Sequence, residues 1–494
     1  MKKAKIYYFT LTDEMRKEEK LNWFRSHSIE QLEFEYINPD KNSNWINLAD
    51  TDFESLLPLA NKETKLGKGV NAVFKLFSLG VVTNRDEWVY DNDKVELEKK
   101  VKFLIEVYNQ DLEKLKGKTK IEIKDKIDYS IKWTRSVIND LSKGKKYYFN
   151  KELIIDTLYR PFSKKKLYFS KELNEMQYLM QKIWGENGSG KNFALYISGS
   201  PASKPFQCIT LKIMAGLDFF EKTQCLPLYR YDKSGNRVDN ITDWGLEQFR
   251  NHYHLSEPGF SGLKDKQDLT DGKKRKKSGK SVKRKNAEGE ISKEDIFHYV
   301  YAVLHNPAYR EKYELNLKRE FPRIPFYDDF WKWANWGKAL MDLHINYETA
   351  KPFDLKEHHA ETKADSPRSH AKRGNEKTAK EPEAVYAPKI KPRLKADREK
   401  GIIEIDEITF LSSVPKEAWE YRLGNRSALE WILDQYKEKK PKDPTIAEKF
   451  NTYRFADYKE HVIDLLKRVC TVSVETMKIV EEMKKVRRVG EALA

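Results

Sequence analysis

The sequence predicts an α+β protein, in which a mixed β-sheet domain with helical subdomains precedes a mostly helical C-terminal part. Three observations lead to this prediction. Short apolar segments bounded by turn residues recur through the first half of the chain, as expected of strands. An aromatic-rich region at 291–348 has apolar residues at helical spacing, and so does the region after residue 415.

The N-terminal region predicts a strand, a helix and a second strand. Apolar residues or an amphipathic pattern define them at 5–10, 14–24 and 32–37. Asn38-Pro39-Asp40 then indicates a turn that ends the second strand.

A long helix is predicted at 95–115, where Leu97, Val101 and Leu104 begin a repeat of three and four residues. Arg160-Pro161 indicates a turn between two strand segments. The remaining elements predicted in this part are strands at 153–158, 167–169, 192–199, 207–214 and 226–231, and a helix at 172–184.

The aromatic-rich region predicts three successive helices. Ser292 with Asp295 resembles a capping box, and Asn306-Pro307 resembles the N-cap and first-turn proline of the next helix. The third helix carries Phe330, Ala334, Gly337, Leu340, Met341 and His344 along one side. Because aromatic side chains bury large areas, a packed core is the favoured interpretation of this region.

Two segments lack the apolar residues that an ordered structure requires. Residues 262–290 are rich in lysine and arginine and are predicted to be a flexible basic loop, whereas 351–388 are predicted to be a linker. The domain that follows, 389–494, is predicted to begin with a hairpin of 389–396 and 402–410 around Lys400-Gly401. Helices at 425–436 and 461–484 complete it.

Composition restricts the class of partner. The 494 residues carry a formal net charge of +16, which favours polyanions such as DNA, RNA or an anionic surface. The three cysteines are isolated, which favours a reducing, cytoplasmic compartment. No apolar run is long enough to span a membrane, so we expect no membrane partner.

Three short motifs were weighed as enzymatic signals. The segment GENGSGKN at 185–192 resembles a phosphate-binding loop, but Asn192 stands where Ser or Thr is required and the order of helix and strand is reversed. Asn306-Pro307-Ala308-Tyr309 resembles an amino-methyltransferase loop but fits a helix cap better. Glu122 and Lys124 form a weak nuclease-like pair, and no histidine or cysteine has zinc spacing. We therefore expect no catalytic, cofactor or metal site on this chain.

The segment 132–166 interleaves basic and aromatic residues and is the favoured binding candidate. Lysine and arginine neutralise phosphates, and arginine also reads base edges in the major groove. A basic exposed face over an aromatic core is the alternative interpretation.

Several long segments resemble one family, the C-terminal specificity region of type ISP restriction–modification enzymes. They include DIFHYVYAVLHNPAYREKY, LKREFPRIPF and LMDLHINYE between Asp295 and Glu348, and LYRPFSKKKLYF at Leu158–Phe169. Further matching segments are GVVTNRDEWVYD, WTRS, CLPLYRY, ITDWGLEQFRNHY, EAWEYRLGNRSALEWILDQY and TVSVETMKIVEEM. The resemblance extends over roughly 5–484.

The resemblance implies a domain order. Residues 1–30 would be the C-terminal tail of a methyltransferase-like domain, and 31–350 would be a DNA target-recognition region. The chain lacks the family's cofactor loop, catalytic motif, helicase motifs and nuclease motif. S-adenosylmethionine, ATP and Mg²⁺ are therefore expected only for the missing parts of the family enzyme, and whether this chain is an enzyme is left open.

The resemblance thus implies sequence-specific recognition of double-stranded DNA, with a target adenine presented to a methyltransferase absent from this chain. A chain carrying methyltransferase, helicase or nuclease activity is a possible partner. The residues predicted to contact DNA are Arg85, Arg135, Arg160, Lys164, Lys165 and Lys166. The alternatives are a non-specific nucleic-acid-binding protein and a stand-alone enzyme that uses S-adenosylmethionine or a nucleotide.

Overall fold

The computed structural model describes residues 4–12, 15, 17–39, 45, 51–255, 290–360 and 390–486. Within these residues the chain is α+β, as predicted, with its strands in several small sheets. No helix in these ranges is both long and apolar enough to cross a membrane.

The N-terminal unit has the predicted strand–helix–strand order. β1 (Ile6–Tyr8) pairs antiparallel with β2 (Glu35–Ile37), and α1 (Lys17–Ser26) lies between them in the chain. Phe9 stacks on Trp23 with ring centroids 5.4 Å apart, which gives the unit a small aromatic centre. No residue of α1 is buried, so this centre is the principal packing of the unit.

The segment from 57 to 184 supplies three of the four strands of the sheet that carries the predicted binding segment. Its elements are β3 (Leu57–Pro58), β4 (Ser78–Leu79), α2 (Asp86–Val89), β5 (Tyr90–Asp91), α3 (Lys94–Leu115), α4 (Lys120–Lys126), α5 (Arg135–Ser142), β6 (Ile154–Arg160), β7 (Ser163–Tyr168) and α6 (Met180–Trp184). The long helix predicted at 95–115 is confirmed as α3, whose N-cap Asp93 accepts from two backbone amides.

The segment from 194 to 359 supplies a second sheet and the helical layer against it. Its elements are β8 (Ala194–Ile197), β9 (Cys208–Leu211), β10 (Met214–Ala215), β11 (Gln224–Pro227), β12 (Tyr229–Tyr231), β13 (Arg237–Asp239), α7 (Asp243–Leu255), α8 (Lys293–Val303), α9 (Pro307–Lys312), α10 (Glu314–Arg319), β14 (Arg323–Ile324), α11 (Phe330–Ile345) and β15 (Lys356–His359).

The C-terminal segment is a sheet followed by helices. Its elements are β16 (Pro392–Asp397), β17 (Ile402–Asp406), β18 (Thr409–Ser412), α12 (Lys416–Glu420), β19 (Arg422–Leu423), β20 (Arg426–Ser427), α13 (Ala428–Gln435), α14 (Pro444–Lys449) and α15 (Lys459–Lys484). The predicted helices at 425–436 and 461–484 are confirmed as α13 and α15.

Three four-stranded sheets organise the chain. The hairpin sheet has the order β10-β6-β7-β5, with β10 parallel to β6 and the other pairs antiparallel. The central sheet, β4-β11-β8-β9, and the C-terminal sheet, β15-β18-β17-β16, are antiparallel throughout.

The central sheet separates two hydrophobic cores. In β8, Ala194 and Tyr196 face a core shared with the hairpin sheet and the C-terminal segment, whereas Leu195 and Ile197 face a core built on α8 and α11. Because successive strand residues point to opposite faces, a strand buried on both sides has no polar positions. This explains why the sequence of β8 is continuously apolar.

Helices begin at the three places predicted in the aromatic-rich region. Ser292 forms the predicted capping box with Asp295, and the Asn306 side chain accepts from the Ala308 amide at the start of α9. The second predicted helix is divided into α9 and α10 at Tyr313. α11 packs along α8 so closely that a Cβ on Gly337 would lie 1.8 Å from the His298 carbonyl oxygen.

Two predicted elements differ in the structure. The helix predicted at 172–184 is reduced to α6, because Met176 pairs with Val82 in an isolated β-bridge and Tyr178 has a φ of 48°, neither of which a continuous helix allows. The strand predicted at 402–410 is divided into β17 and β18, because the Asp406 carboxylate accepts from the amides of Ile408 and Thr409.

The predicted linker at 351–388 contains a strand. β15 pairs with β18, and its polar side chains have partners: Lys467 Nζ lies 2.9 Å from Glu357, and His358 Nε2 lies 2.8 Å from Ser412 Oγ. These partners allow a polar segment to form an edge strand. The remainder of the linker from 361 on, and the predicted basic loop at 262–290 up to residue 289, lie outside the described residues.

Candidate nucleic-acid interface

The β6–β7 hairpin carries four of the six predicted contact residues. Its register pairs Arg160 with Ser163, so that Pro161 and Phe162 form the turn. Phe162 has a φ of 57° and is only 2% exposed, packed edge-on against Tyr347 at 5.2 Å. Proline fixes the first turn residue and the buried ring anchors the second, so the turn holds Arg160 at the end of the strand.

Arg160 and Lys165 both lie over the Tyr159 ring. The Arg160 guanidinium carbon is 4.3 Å from the ring centroid, and Lys165 Nζ is 4.5 Å from it. The Tyr159 hydroxyl donates to Asp86 at 2.9 Å, which fixes the ring against α2. Two cations held over one aromatic ring form a compact positive site with a defined orientation.

Burial changes the acid–base properties of this site. Burial removes water from the Lys165 ammonium and lowers its pKa to about 8, and the negative charge of Asp91 opposes this effect. Burial also raises the pKa of Tyr159, so the phenol stays protonated as the donor to Asp86. The charged form of Lys165 therefore lacks part of its hydration, and a nearby anion would stabilise it.

Lys164 and Lys166 differ from Lys165 because each has a carboxylate partner. Lys164 pairs with Glu348, and Lys166 Nζ lies 2.6 Å from Asp156. Both side chains are half-buried. They would have to exchange these partners to contact a phosphate.

Arg85 lies in the interior. Its side chain is fully buried, donates to the Thr134 hydroxyl and lies 3.8 Å from Glu175. Burial lowers its pKa to about 10, opposed by Tyr147 and Glu175. Its Nε and Nη1 have no hydrogen-bond partner among the described residues. The structure thus places Arg85 as an internal organiser of the loop before α5, a position that does not fit its predicted role as a DNA contact.

Arg135 is the first residue of α5 and is exposed. The hydroxyls of Thr134 and Ser136 flank it, and Ser136 Oγ donates to Glu175 at 2.6 Å. The buried Arg85–Glu175 pair therefore supports the backbone that presents Arg135. Of the six predicted residues, the structure brings together Arg160, Lys164, Lys165 and Lys166 on one hairpin, with Arg85 and Arg135 forming a separate group.

The motifs weighed as enzymatic signals have structural roles. Asn192 is buried, and its amide donates to the carbonyls of Ile183 and Tyr229 at 2.8 Å. Asn306 caps α9, and Glu122 forms a capping box with Thr119 at the start of α4. Across the part of the chain that the structure describes, no three His, Cys, Asp or Glu side chains are grouped as a metal site requires.

A cleft of about 500 Å³ lies between the hairpin sheet and the C-terminal segment. Its four carboxylates belong to Asp86, Glu87, Asp91 and Asp434, and each has a partner. Its seven cationic side chains outnumber them: Lys100, Arg160, Lys165, Arg426, Lys437, Lys439 and Lys440. A second cavity of about 440 Å³ shares Tyr159 and Arg160 with the cleft, so this pair lies between two openings.

The sequence analysis missed the cations that the C-terminal segment contributes to the cleft. They are Arg426 from β20 and three lysines from the segment KEKKPK at 437–442. The signal was a short basic run with a proline directly after an aromatic helix. Nothing local in the sequence indicates that this run faces the β6–β7 hairpin, because the two are brought together only by tertiary packing.

A surplus of cations in a cleft between two subdomains defines a class of protein that binds polyanions. A family model described as Type ISP C-terminal specificity domain matches residues 72–465. The chain therefore belongs to the Type ISP C-terminal specificity domain family. The comparison with curated proteins found no match.

Solved structures of similar fold agree with this family. One, of a DrdV–DNA complex, is 45% identical with a TM-score of 0.78, and covers 98% of this chain. Another, of a nuclease-deletion mutant of the Type ISP enzyme LlaGI with a DNA substrate mimic, is 27% identical with a TM-score of 0.69 and covers 98%. The Type ISP enzyme LlaBIII bound to DNA shares the fold, with 24% identity, a TM-score of 0.66 and 92% coverage.

The chain spans only part of each of these relatives. It corresponds to 44% of the DrdV chain, 39% of the LlaGI chain and 26% of the LlaBIII chain.

Proposed function

We propose that this chain recognises a specific sequence in double-stranded DNA, as the specificity part of a Type ISP restriction–modification system. The observation that carries the proposal is the cationic cleft with Arg160 at its edge, in a chain whose relatives DrdV and LlaGI were solved with DNA or a DNA mimic. A duplex lying across the cleft would meet a surplus of positive charge on the C-terminal wall, where four cationic side chains face one carboxylate.

Arg160 is the proposed base-reading residue. Its guanidinium rests on Tyr159 and uses Nη1 to donate to the Tyr159 carbonyl at 2.7 Å. A planar, pre-oriented guanidinium suits bidentate recognition of guanine, which contributes roughly 1–3 kcal/mol of discrimination. Lys165 beside it is the proposed phosphate contact, because a lysine ammonium acts as a point charge.

The experiment that tests the proposal is selection of bound duplexes from a randomised DNA pool at moderate salt, where non-specific phosphate binding is weak. Enrichment of one motif is expected for the wild-type chain. Arg160→Ala should relax the preference at one base pair, whereas Arg393→Ala, an exposed arginine of β16 outside the cleft, should leave the motif unchanged. Retention of DNA with no enriched motif would instead indicate a non-specific nucleic-acid-binding protein.

The proposal includes a methyltransferase that acts on the presented adenine from outside the described residues. Its docking surface would be the N-terminal unit, where Tyr7, Leu21, Phe24, Ile29, Phe34 and Tyr36 are between 42% and 67% exposed. Such a concentration of exposed apolar side chains in one small unit is typical of an interaction surface. S-adenosylmethionine, ATP and Mg²⁺ would be bound by other domains of such a system, and not by this chain.

Co-purification tests this part of the proposal. A family methyltransferase domain should co-purify with the wild-type chain and be lost with Phe24→Glu, whereas DNA selection by the same variant should be unchanged. Retention of the domain by Phe24→Glu would exclude this docking surface. A cytoplasmic location belongs to the same proposal, and is supported by three buried cysteines that form no disulfide.

A further inference from the structure

The lysine-rich segment at 437–442, here called the lysine loop, is held by α2 across the cleft. The Glu87 carboxylate accepts from the backbone amides of Lys442 at 2.9 Å and Asp443 at 2.8 Å. The adjacent Trp88 donates from Nε1 to the Asp443 carboxylate at 2.8 Å. Glu87 and Trp88, two consecutive residues of α2, thus fix a loop that is far away in the sequence.

A helix cap and a proline fix the same end of the loop. Asp443 accepts from the amides of Thr445 and Ile446 and so caps α14. Pro441 restricts the backbone just before this cap. Because the backbone is held by a carboxylate, a cap and a proline, the loop does not need its lysine side chains to maintain its position.

Those side chains are consequently left for a ligand. Lys437, Lys439 and Lys440 are exposed and line the cleft opposite Arg160 and Lys165. Glu438, the acidic residue among them, accepts from the Phe455 amide at 2.8 Å and is engaged there. Lys439 Nζ lies 3.4 Å from the Asp434 carboxylate, which is shared with Arg426.

We infer that the lysine loop is a phosphate-binding wall of the cleft, and that Glu87 is the positioning residue that holds it there. The ligand is the sugar–phosphate backbone of the duplex whose bases face Arg160, so the inference rests on the proposed function. Flexible ammonium groups provide charge without base specificity, which distinguishes the role of this wall from that of Arg160.

The salt dependence of DNA affinity measures how many phosphates the lysine loop neutralises. Each neutralised phosphate contributes about 0.9 to the slope of log affinity against log salt. Replacing Lys437, Lys439 and Lys440 together by glutamine should reduce the magnitude of that slope by about 2–3 and weaken binding equally for selected and scrambled duplexes. The enriched motif should stay the same. An unchanged slope overturns the inference.

A matched triple variant controls for the loss of charge. Lys400, Lys416 and Lys478 are exposed lysines that do not line the cleft. Their replacement by glutamine lowers the net charge by the same amount and should leave the slope nearly unchanged. An equal loss of slope in both triple variants would show that general charge, and not the lysine loop, determines binding.

The role of Glu87 is tested by combining its substitution with those of the three lysines. Glu87→Ala should reduce the slope in the wild-type background but have no further effect when the three lysines are already glutamine. Glu87→Gln keeps an acceptor for only one of the two loop amides, since its NH2 group cannot accept from the other, and should give a slope between those of the wild type and Glu87→Ala. A residue with only a structural role would instead lower the melting temperature equally in both backgrounds without changing the slope.

The two proposals fail in different ways. If the wild-type chain enriches no motif but the lysine variants still reduce the slope, sequence recognition is wrong and the phosphate wall stands. If a motif is enriched and the slope is unaffected by the lysine variants, the wall is wrong and recognition stands.

Discussion

At the scale of single residues, the chemistry of each cation depends on its surroundings more than on its type. Arg85 donates to Thr134, the residue directly before Arg135, yet Arg85 is fully buried and Arg135 is exposed. Lys164, Lys165 and Lys166 are consecutive, yet the outer two pair with carboxylates and the central one rests on Tyr159. Neighbouring residues of one strand therefore differ in their availability to an anion.

The contrast between the two arginines can be measured. Arg85→Met removes the partner of Glu175 and of Thr134 inside the protein, and should lower the free energy of unfolding by about 3 kcal/mol. Arg135→Met is the matched control, because it removes an exposed charge and should change stability by less than about 0.5 kcal/mol. Urea unfolding of both variants provides the comparison. Equal stability of the two would contradict the structural role assigned to Arg85.

At the scale of elements, α8 and α11 form the closest packed pair of helices around the aromatic core. Gly337 allows the approach, since any side chain there would meet the backbone of His298. Trp333, Leu340 and Tyr299 fill the space on either side. The packing of the two helices therefore requires glycine at position 337, although glycine has a low helix propensity.

Gly337→Ala should test this packing. Alanine gains roughly 1 kcal/mol of helix propensity over glycine. The clash with a backbone carbonyl costs more, because neither helix can yield without disturbing the core, and we expect a net destabilisation of about 2 kcal/mol. Lys338→Ala, at the next and exposed position, is the control and should be nearly neutral. A stabilised Gly337→Ala protein would show that the helices can separate without cost.

At the scale of the whole molecule, one buried histidine joins the helical core to the C-terminal helix. The Tyr301 hydroxyl accepts from the Thr210 amide and is hydrogen-bonded to His344 Nδ1, while His344 Nε2 is hydrogen-bonded to Thr476 Oγ1 at 2.9 Å. The ring also stacks on Tyr421, with centroids 5.2 Å apart. A neutral imidazole satisfies all of these contacts.

This histidine predicts a pH dependence of stability. Burial, reinforced by the charge of Arg310, lowers the pKa of His344 to about 3. Since the pKa in the folded state lies below its usual value, the stabilisation is present above about pH 6.5 and is lost as the pH falls toward 3. One such proton changes the free energy of unfolding by at most about 1.4 kcal/mol per pH unit.

Urea unfolding between about pH 7 and about pH 4 measures the effect. His344→Gln should be less stable at neutral pH, because glutamine cannot reproduce both contacts, but its stability should decline less steeply on acidification. Buried His305 also has a lowered pKa and remains in both proteins, but His344 contributes to that lowering, so the difference in slope reports His344 together with its effect on His305. Identical slopes would exclude His344 as a source of acid sensitivity.

Local signals in the sequence were sufficient for much of the fold. The capping residues Ser292 and Asn306 and the apolar repeat of α3 each determine an element through contacts within a few residues. The turn at Arg160-Pro161 likewise depends on its own dihedral restrictions. The long segments between Asp295 and Glu348 also carried the resemblance to the family, because they preserve an ordered series of such signals.

Other features were decided by tertiary structure alone. The pairing of Met176 with Val82 interrupted the predicted helix at 172–184, and partners on β18 and α15 allowed the polar segment of β15 to form a strand. Burial of Arg85 and the position of the lysine loop depend on contacts between residues far apart in the sequence. By itself the sequence determined the class of fold, the basic hairpin and the family. Which cations face a common cleft was decided only when the chain packed, because exposure and charge pairing are properties of the whole folded surface.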